Sequence, residues 1–311
     1  MRLALVTEGM IERSLDQLMD WLDESAPAIR DLEVGTGGYS PLGHSPLDLS
    51  PAGRRAWHAR ITARGFRIAA FNVSGNPLQP RAAIARRHDR DLRQTIDLAM
   101  DLGVDRIVAM SGSPAAGPGP SPAPHFAASA WLPDYAGVAG WQWEHRVRPY
   151  WETINEVVDR RGPGPTICLE LHPGAHVFNV DTFLRLHDAA PRIGVNLDPS
   201  HLFWQRMDPL KVIERLGPLI GYAHAKDVRY ASSELDLNGL LDSRWPGDPA
   251  KVAWDFAAVG HGAHDAAWWG SFAAALARRT SAATISVEHE DRQIGPEVGV
   301  AASASLLSAF V

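Results

Sequence analysis

Cysteine is almost missing from this sequence: Cys168 stands alone among 311 residues. An internal disulfide framework is therefore excluded, and the composition suits a reducing cytoplasm. Positive charge is not in excess either, since 30 Lys and Arg face 36 Asp and Glu for a formal net charge of −6. No cationic field is available for a phosphate backbone or an anionic membrane surface, which argues against nucleic-acid and membrane partners. Nor does any apolar run approach the roughly 18–20 residues of a membrane span. The apolar start over residues 1–6 is too short for a signal core and reads as a first strand. No Gly-x-Gly-x-x-Gly follows that strand, so a dinucleotide-binding half is disfavoured. Low-complexity tails and internal repeats are also missing.

What is present is an ordinary globular composition, 45% hydrophobic and 21% charged, with 13 His and 11 Trp. Most of the Trp are expected in the core or in a subunit contact, although sugar sites also use indole faces. Short apolar runs alternate with stretches of helical period, the pattern of repeated βα units. Strands are predicted near residues 3–6, 29–34, 66–72, 106–110, 166–171, 193–197, 219–223 and 284–288. Helices are predicted between them, among others over 14–23, 86–102, 143–160, 182–189, 209–216 and 266–278. Ser14, Asp181 and Asp208 suit helix starts, while Gly103 and Gly217 mark helix ends. Eight alternations fit an α/β fold, a single (β/α)8 TIM barrel over residues 1–311, better than an open sheet. Long connections at about 36–51, 111–140 and 228–264 follow strands two, four and seven. They leave the strand ends where such barrels build sites, and are expected to act as lids, binding loops or contacts in a homo-oligomer.

Four strand ends carry metal-ligand chemistry. Strand five ends in Glu170-Leu171-His172-Pro173-Gly174 and strand six in Asp198-Pro199-Ser200-His201. Strand seven ends in His224-Ala225-Lys226-Asp227 and strand eight in Glu288-His289-Glu290-Asp291. The steps from Glu170 to Asp198 and from Asp198 to His224 are each about one βα unit, so these side chains emerge at similar height. A lone acid or imidazole at a strand end is usually a surface residue; four on consecutive strands are hard to explain that way. Glu170, Asp198, His224 and Glu288 form a hard, mostly oxygen donor set suited to one divalent metal. Mn²⁺ fits best, with Mg²⁺, Co²⁺ or Zn²⁺ also acceptable.

These segments resemble the xylose isomerase-like barrel superfamily, in its sugar phosphate isomerase/epimerase branch, over nearly the whole chain. The resemblance rests on Glu170-Leu171-His172-Pro173-Gly174, Asn196-Leu197-Asp198-Pro199-Ser200-His201 and the two later strand ends. Ser74-Gly75-Asn76-Pro77-Leu78 and Val259-Gly260-His261-Gly262 add to it. It implies that Glu170 and Glu288 both hold the ion and exchange protons with a substrate carbon, with Asp198 and His224 as pure ligands. By the same likeness His172, His201, Lys226, Arg229, His289 and Asn76 are expected to touch a small carbohydrate substrate. Gln79 departs from the pattern, where His is the rule. The implied reaction polarises a carbonyl, removes a neighbouring proton through an enediolate and returns it from the other face. Lys226 would screen developing negative charge, or else serve as a solvated partner of Asp227.

Other residues carry weaker expectations. His125, His145, His261 and His264 are expected in structural or solvent roles, Cys168 in the strand–helix layer, and Trp141 and Trp143 either beside substrate or in packing. Glu8, Tyr39 and His44 are marginal site candidates. A metal-dependent lyase cleaving a C- or O-glycoside from a 3-keto-glycoside uses the same early chemistry and stands as the alternative. A DNA-repair endonuclease would need further His where strands three and four offer Asn72 and Ser111. A non-catalytic binding protein would not be expected to keep three clustered carboxylates.

Overall fold

Short aliphatic runs form the strands. In chain order these are β1 (Arg2–Val6), β2 (Ile29–Gly35), β3 (Arg67–Asn72), β4 (Arg106–Ala109) and β5 (Thr166–Glu170). They continue with β6 (Ile193–Leu197), β7 (Ile220–Ala225), β8 (Asp227–Tyr230), β9 (Trp254–Ala257) and β10 (Thr284–Val287). The helices are α1 (Leu15–Ser25), α2 (Pro51–Ala63), α3 (Ala82–Leu102), α4 (Val138–Gln142), α5 (Arg148–Asp159) and α6 (Val180–Ala189). After them come α7 (Pro199–Phe203), α8 (Pro209–Leu216), α9 (Ser232–Asn238), α10 (Ala266–Arg279) and α11 (Pro296–Leu307). The structure, a computed structural model, describes residues 1–128, 132–162, 164–241 and 243–311. Parts of the connections at 111–140 and 228–264 thus lie outside the described residues. Eight strands close into a barrel in the order β1-β10-β7-β6-β5-β4-β3-β2, the expected α/β architecture. Among the described residues no helix is long and apolar enough to cross a membrane.

Backbone packing groups the chain into two units. The first comprises Met1–Glu33, Thr62–Arg67 and Leu197–Val311. Within it β1 pairs in parallel with β10 (Leu5↔Val287) and with β2 (Val6↔Glu33), and β10 pairs with β7 (Ser286↔His224). Alternate residues of a strand share a face, so Asp31 and Glu33 on β2 fall together, as do Tyr222 and His224 on β7. All four are buried. Asp31 accepts from Arg2 at 2.6 Å and Arg67 at 2.7 Å, which satisfies a carboxylate that could not otherwise stay charged out of water. The α1 start is the expected one: Ser14 and Gln17 form a reciprocal capping box. Asp208 caps α8 with bonds from Leu210 and Lys211.

The second unit comprises Val34–Ile61 and Ile68–Asn196. Its strands β3, β4, β5 and β6 pair in parallel, with Asn72↔Val108, Ala109↔Leu169 and Glu170↔Asn196 in register. Helix α3 begins four residues earlier than expected and stops where Gly103 takes φ 68°, a left-handed geometry that glycine adopts without steric cost. The predicted helix over 143–160 starts with a π-helical turn, Trp143–Val147, before α5. Cys168 is fully buried. Two residues before Glu170, it shares that residue's face rather than pointing into the outer strand–helix layer, which corrects the expectation for it.

The connection at 228–264 carries secondary structure of its own. It holds α9 and most of the antiparallel pair β8–β9, with Val228↔Phe256 and Tyr230↔Trp254 in register. Trp254 stacks on both Trp204 and Trp245, at centroid distances of 4.9 and 5.2 Å. Much of the Trp excess is therefore packing, as the bland expectation had it.

Candidate metal centre

Each proposed ligand is placed by its local sequence. Asp198 follows β6 directly and caps α7: its Oδ1 accepts from the Ser200 amide at 2.8 Å, and Pro199 fills the first helical position. That cap turns Oδ2 toward His201 Nε2 at 3.5 Å and Lys226 Nζ at 3.2 Å. His224 sits on β7 with no exposed surface; its Nδ1 lies 3.1 Å from Glu288 Oε2. Glu288, just beyond β10, also receives Lys226 Nζ at 2.7 Å. Glu170 ends β5 and is 4% exposed.

Within the first unit, one donor atom from each of Asp198, His224 and Glu288 lies within 4.8 Å of the others. Around an ion with oxygen and nitrogen bonds of about 2.1 Å, adjacent donors stand about 3 Å apart and opposite ones about 4.2 Å. The 3.1 Å between His224 and Glu288 matches an adjacent pair, and the 4.8 Å bound needs only a slight contraction for the rest. Two carboxylates and one imidazole of the first unit thus fit a hard divalent cation in type and spacing.

Electrostatics agree with a cation-seeking cluster. Burial alone would lower the His224 pKa, but the carboxylates of Glu33 and Glu288 on its two nitrogens hold it well above the ordinary range. For Glu288 burial works upward, and is overcome by Lys226 and His224, so its carboxyl falls well below the usual range. The Lys226 ammonium is 2% exposed, touches Glu290 at 2.6 Å and lies 4.4 Å over the Phe256 ring. It is not a solvated partner of Asp227; that carboxylate instead binds His264 Nδ1 at 2.7 Å.

The expected substrate contacts divide into two groups. His172 brings a ring nitrogen within 4.8 Å of Glu170, and in the other unit His201 and Lys226 lie beside Asp198. Asn76, Arg229 and His289 each make hydrogen bonds within the chain. Asn76 Nδ2 donates to Ser113 O at 2.8 Å, and its Oδ1 accepts from the Ser113 and Leu78 amides. Arg229 donates to Asp291 at 3.1 Å and to the His261 carbonyl. His289 donates from Nε2 to Ile294 O, with its ring so close to Gly299 that a Cβ there would stand 2.4 Å away. Among the weaker candidates, Tyr39 is 60% exposed against His88, while His44 and Trp143 are buried. Trp141 lines a cavity of about 1040 Å³ with Arg81, His145 and Arg146. Glu33 went unnoticed in the sequence: it is one acid inside an apolar strand, and only its register with distant β7 gives it meaning.

A parallel eight-stranded α/β barrel with a carboxylate–imidazole centre at its strand ends is the class that fold and site define. The chain belongs to the family described as Xylose isomerase-like TIM barrel, whose profile matches residues 32–310. It is 34% identical to "Uncharacterized protein YfiH" of Bacillus subtilis (strain 168), over 99% of this chain and 98% of that one. Solved structures share the fold at low identity. The probable 3-DHS dehydratase AsbF of Bacillus anthracis superposes with a TM-score of 0.67 at 14% identity, covering 99% of both chains. The IolI protein, solved with a zinc atom, gives 0.66 at 15% identity over 100% of this chain and 99% of that one. An L-ribulose 3-epimerase gives 0.60 at 17% identity over 99% and 92%.

Proposed function

We propose that this chain is a single-domain, divalent-metal-dependent isomerase or epimerase that moves a proton on a small sugar, ketosugar or polyol. The convergence of Asp198, His224 and Glu288 within 4.8 Å carries the reading, with Glu170 at the end of β5 as the fourth ligand we propose. When bound, a divalent cation would polarise a substrate carbonyl or adjacent hydroxyl and acidify the neighbouring C–H. Glu170 and Glu288 are the proton-transferring pair, one removing the proton and the other returning it. Asp198 and His224 complete the donor set. Lys226, with its ammonium against Glu288, balances the clustered negative charge. His172, grouped with Glu170, and His201, beside Asp198, bind substrate oxygens. Mn²⁺ is the first choice for a mostly oxygen set; the zinc held by IolI supports testing Zn²⁺ beside it. A cytoplasmic location suits the single buried thiol. Leu237 and Leu241, 82% and 91% exposed, offer apolar surface to a homo-oligomer, which sedimentation would test.

The reaction is tested by incubating Mn²⁺-loaded protein in D₂O with ketohexoses, inososes and 3-keto-glycosides. Deuterium uptake beside the carbonyl without loss of a substituent is the expected result. Release of an aglycone would move the assignment to the lyase alternative, and no exchange with any substrate of these classes would count against both.

A further inference from the structure

We propose that Glu33 is the positioning residue of the metal centre, fixing the ring of His224 so that Nδ1 is the nitrogen offered to the cation. The inference rests on the metal reading above and adds a residue that reading does not contain. His224 Nε2 lies 3.1 Å from both oxygens of Glu33, and Nδ1 lies 3.1 Å from Glu288 on the other side. A neutral imidazole carries one N–H. With a carboxylate against Nε2, the hydrogen belongs there, and the lone pair of Nδ1 is turned toward the other ligands. The same contact makes the ring a stronger donor, the general effect of a carboxylate behind a metal-bound histidine.

Glu33 is itself held. It is fully buried, and the Tyr222 hydroxyl, which also meets Ser286 Oγ at 2.7 Å, bonds to it. Its neighbour on the same face, Asp31, has a different assignment, since Arg2 and Arg67 bind it away from the ligands. A buried carboxylate is costly unless its bonds compensate. Holding such a carboxylate against an imidazole has a clear return if that imidazole is a ligand.

The test is the Mn²⁺ affinity of wild type, Glu33→Ala, Glu33→Gln and Tyr222→Phe, by chelator competition, with thermal unfolding of each metal-free protein alongside. Glu33→Ala should weaken binding about 10–100-fold. Glu33→Gln, whose amide oxygen still accepts from Nε2, should lose less, and Tyr222→Phe less again. A role in folding alone would lower the metal-free melting temperature and leave affinity within about twofold of wild type; that result in Glu33→Gln and Glu33→Ala overturns the inference. If Glu33→Ala does not fold, the isosteric Gln variant decides alone. Wild type that binds no Mn²⁺ removes the metal reading and this inference together, whereas tight wild-type binding with unaffected variants removes only the inference.

Discussion

Glu170 and Glu288 are the same residue type in unlike surroundings. Glu170 is nearly sealed and grouped with the ring of His172, while Glu288 keeps some solvent contact and lies against a lysine and a histidine. Such asymmetry is what separates two carboxyl groups into distinct proton-transfer roles. Glu170→Gln and Glu288→Gln should each lower turnover by about 10²–10⁴-fold with the fold intact by circular dichroism; full activity in either variant removes it from the pair. His176 makes a second prediction at this scale. Burial, then Arg185, pushes its imidazole down to about 4. An unfolded chain binds that proton near pH 6.5, so as pH falls from about 6.5 to 4 the unfolded state holds more protons and stability is lost. Urea midpoints of His176→Gln should fall less steeply across that window than those of wild type. Equal slopes would contradict the assignment.

At the level of elements, the β8–β9 pair shows what spacing can and cannot reveal. The metal proposal starts from three acids and one imidazole that recur on strand ends, mostly at βα intervals. The antiparallel pair was not legible, because α9 and a long irregular stretch separate its strands, and no two-residue turn marks it. The intrachain hydrogen bonds of Asn76, Arg229 and His289 were not legible for a related reason. Sequence places a polar group at a strand end or in a following loop, but which backbone atom claims it depends on distant chain. Glu33 was missed because its partner comes from β7. The junction beside β8 hangs on Asp227, fully buried, which accepts from the Val228 amide, the His264 amide and His264 Nδ1. A Cβ at Gly262 would stand 2.3 Å from its Cγ. Asp227→Ala should cost about 2–3 kcal/mol through the donors it strands, and Gly262→Ala about 1–3 kcal/mol through overpacking. Since removing the carboxylate also removes the clash, the double variant should cost less than the sum in urea unfolding. Strict additivity would mean the two do not meet.

For the whole molecule, barrel closure follows from a simple alternation, and eight apolar runs sufficed to anticipate it. Its centre is a different matter: buried acids repel one another, and a bound cation stabilises only the folded chain. Saturating Mn²⁺ at about a hundredfold over its Kd should add about 2.7 kcal/mol of stability, visible as a higher melting temperature that EDTA reverses. The most direct measurement is the metal content of the protein after equilibrium dialysis against Mn²⁺, for wild type, Asp198→Ala and His224→Ala. One ion per chain in wild type and its loss in both variants is the predicted result. No bound ion in wild type, or the same content in all three proteins, would contradict it.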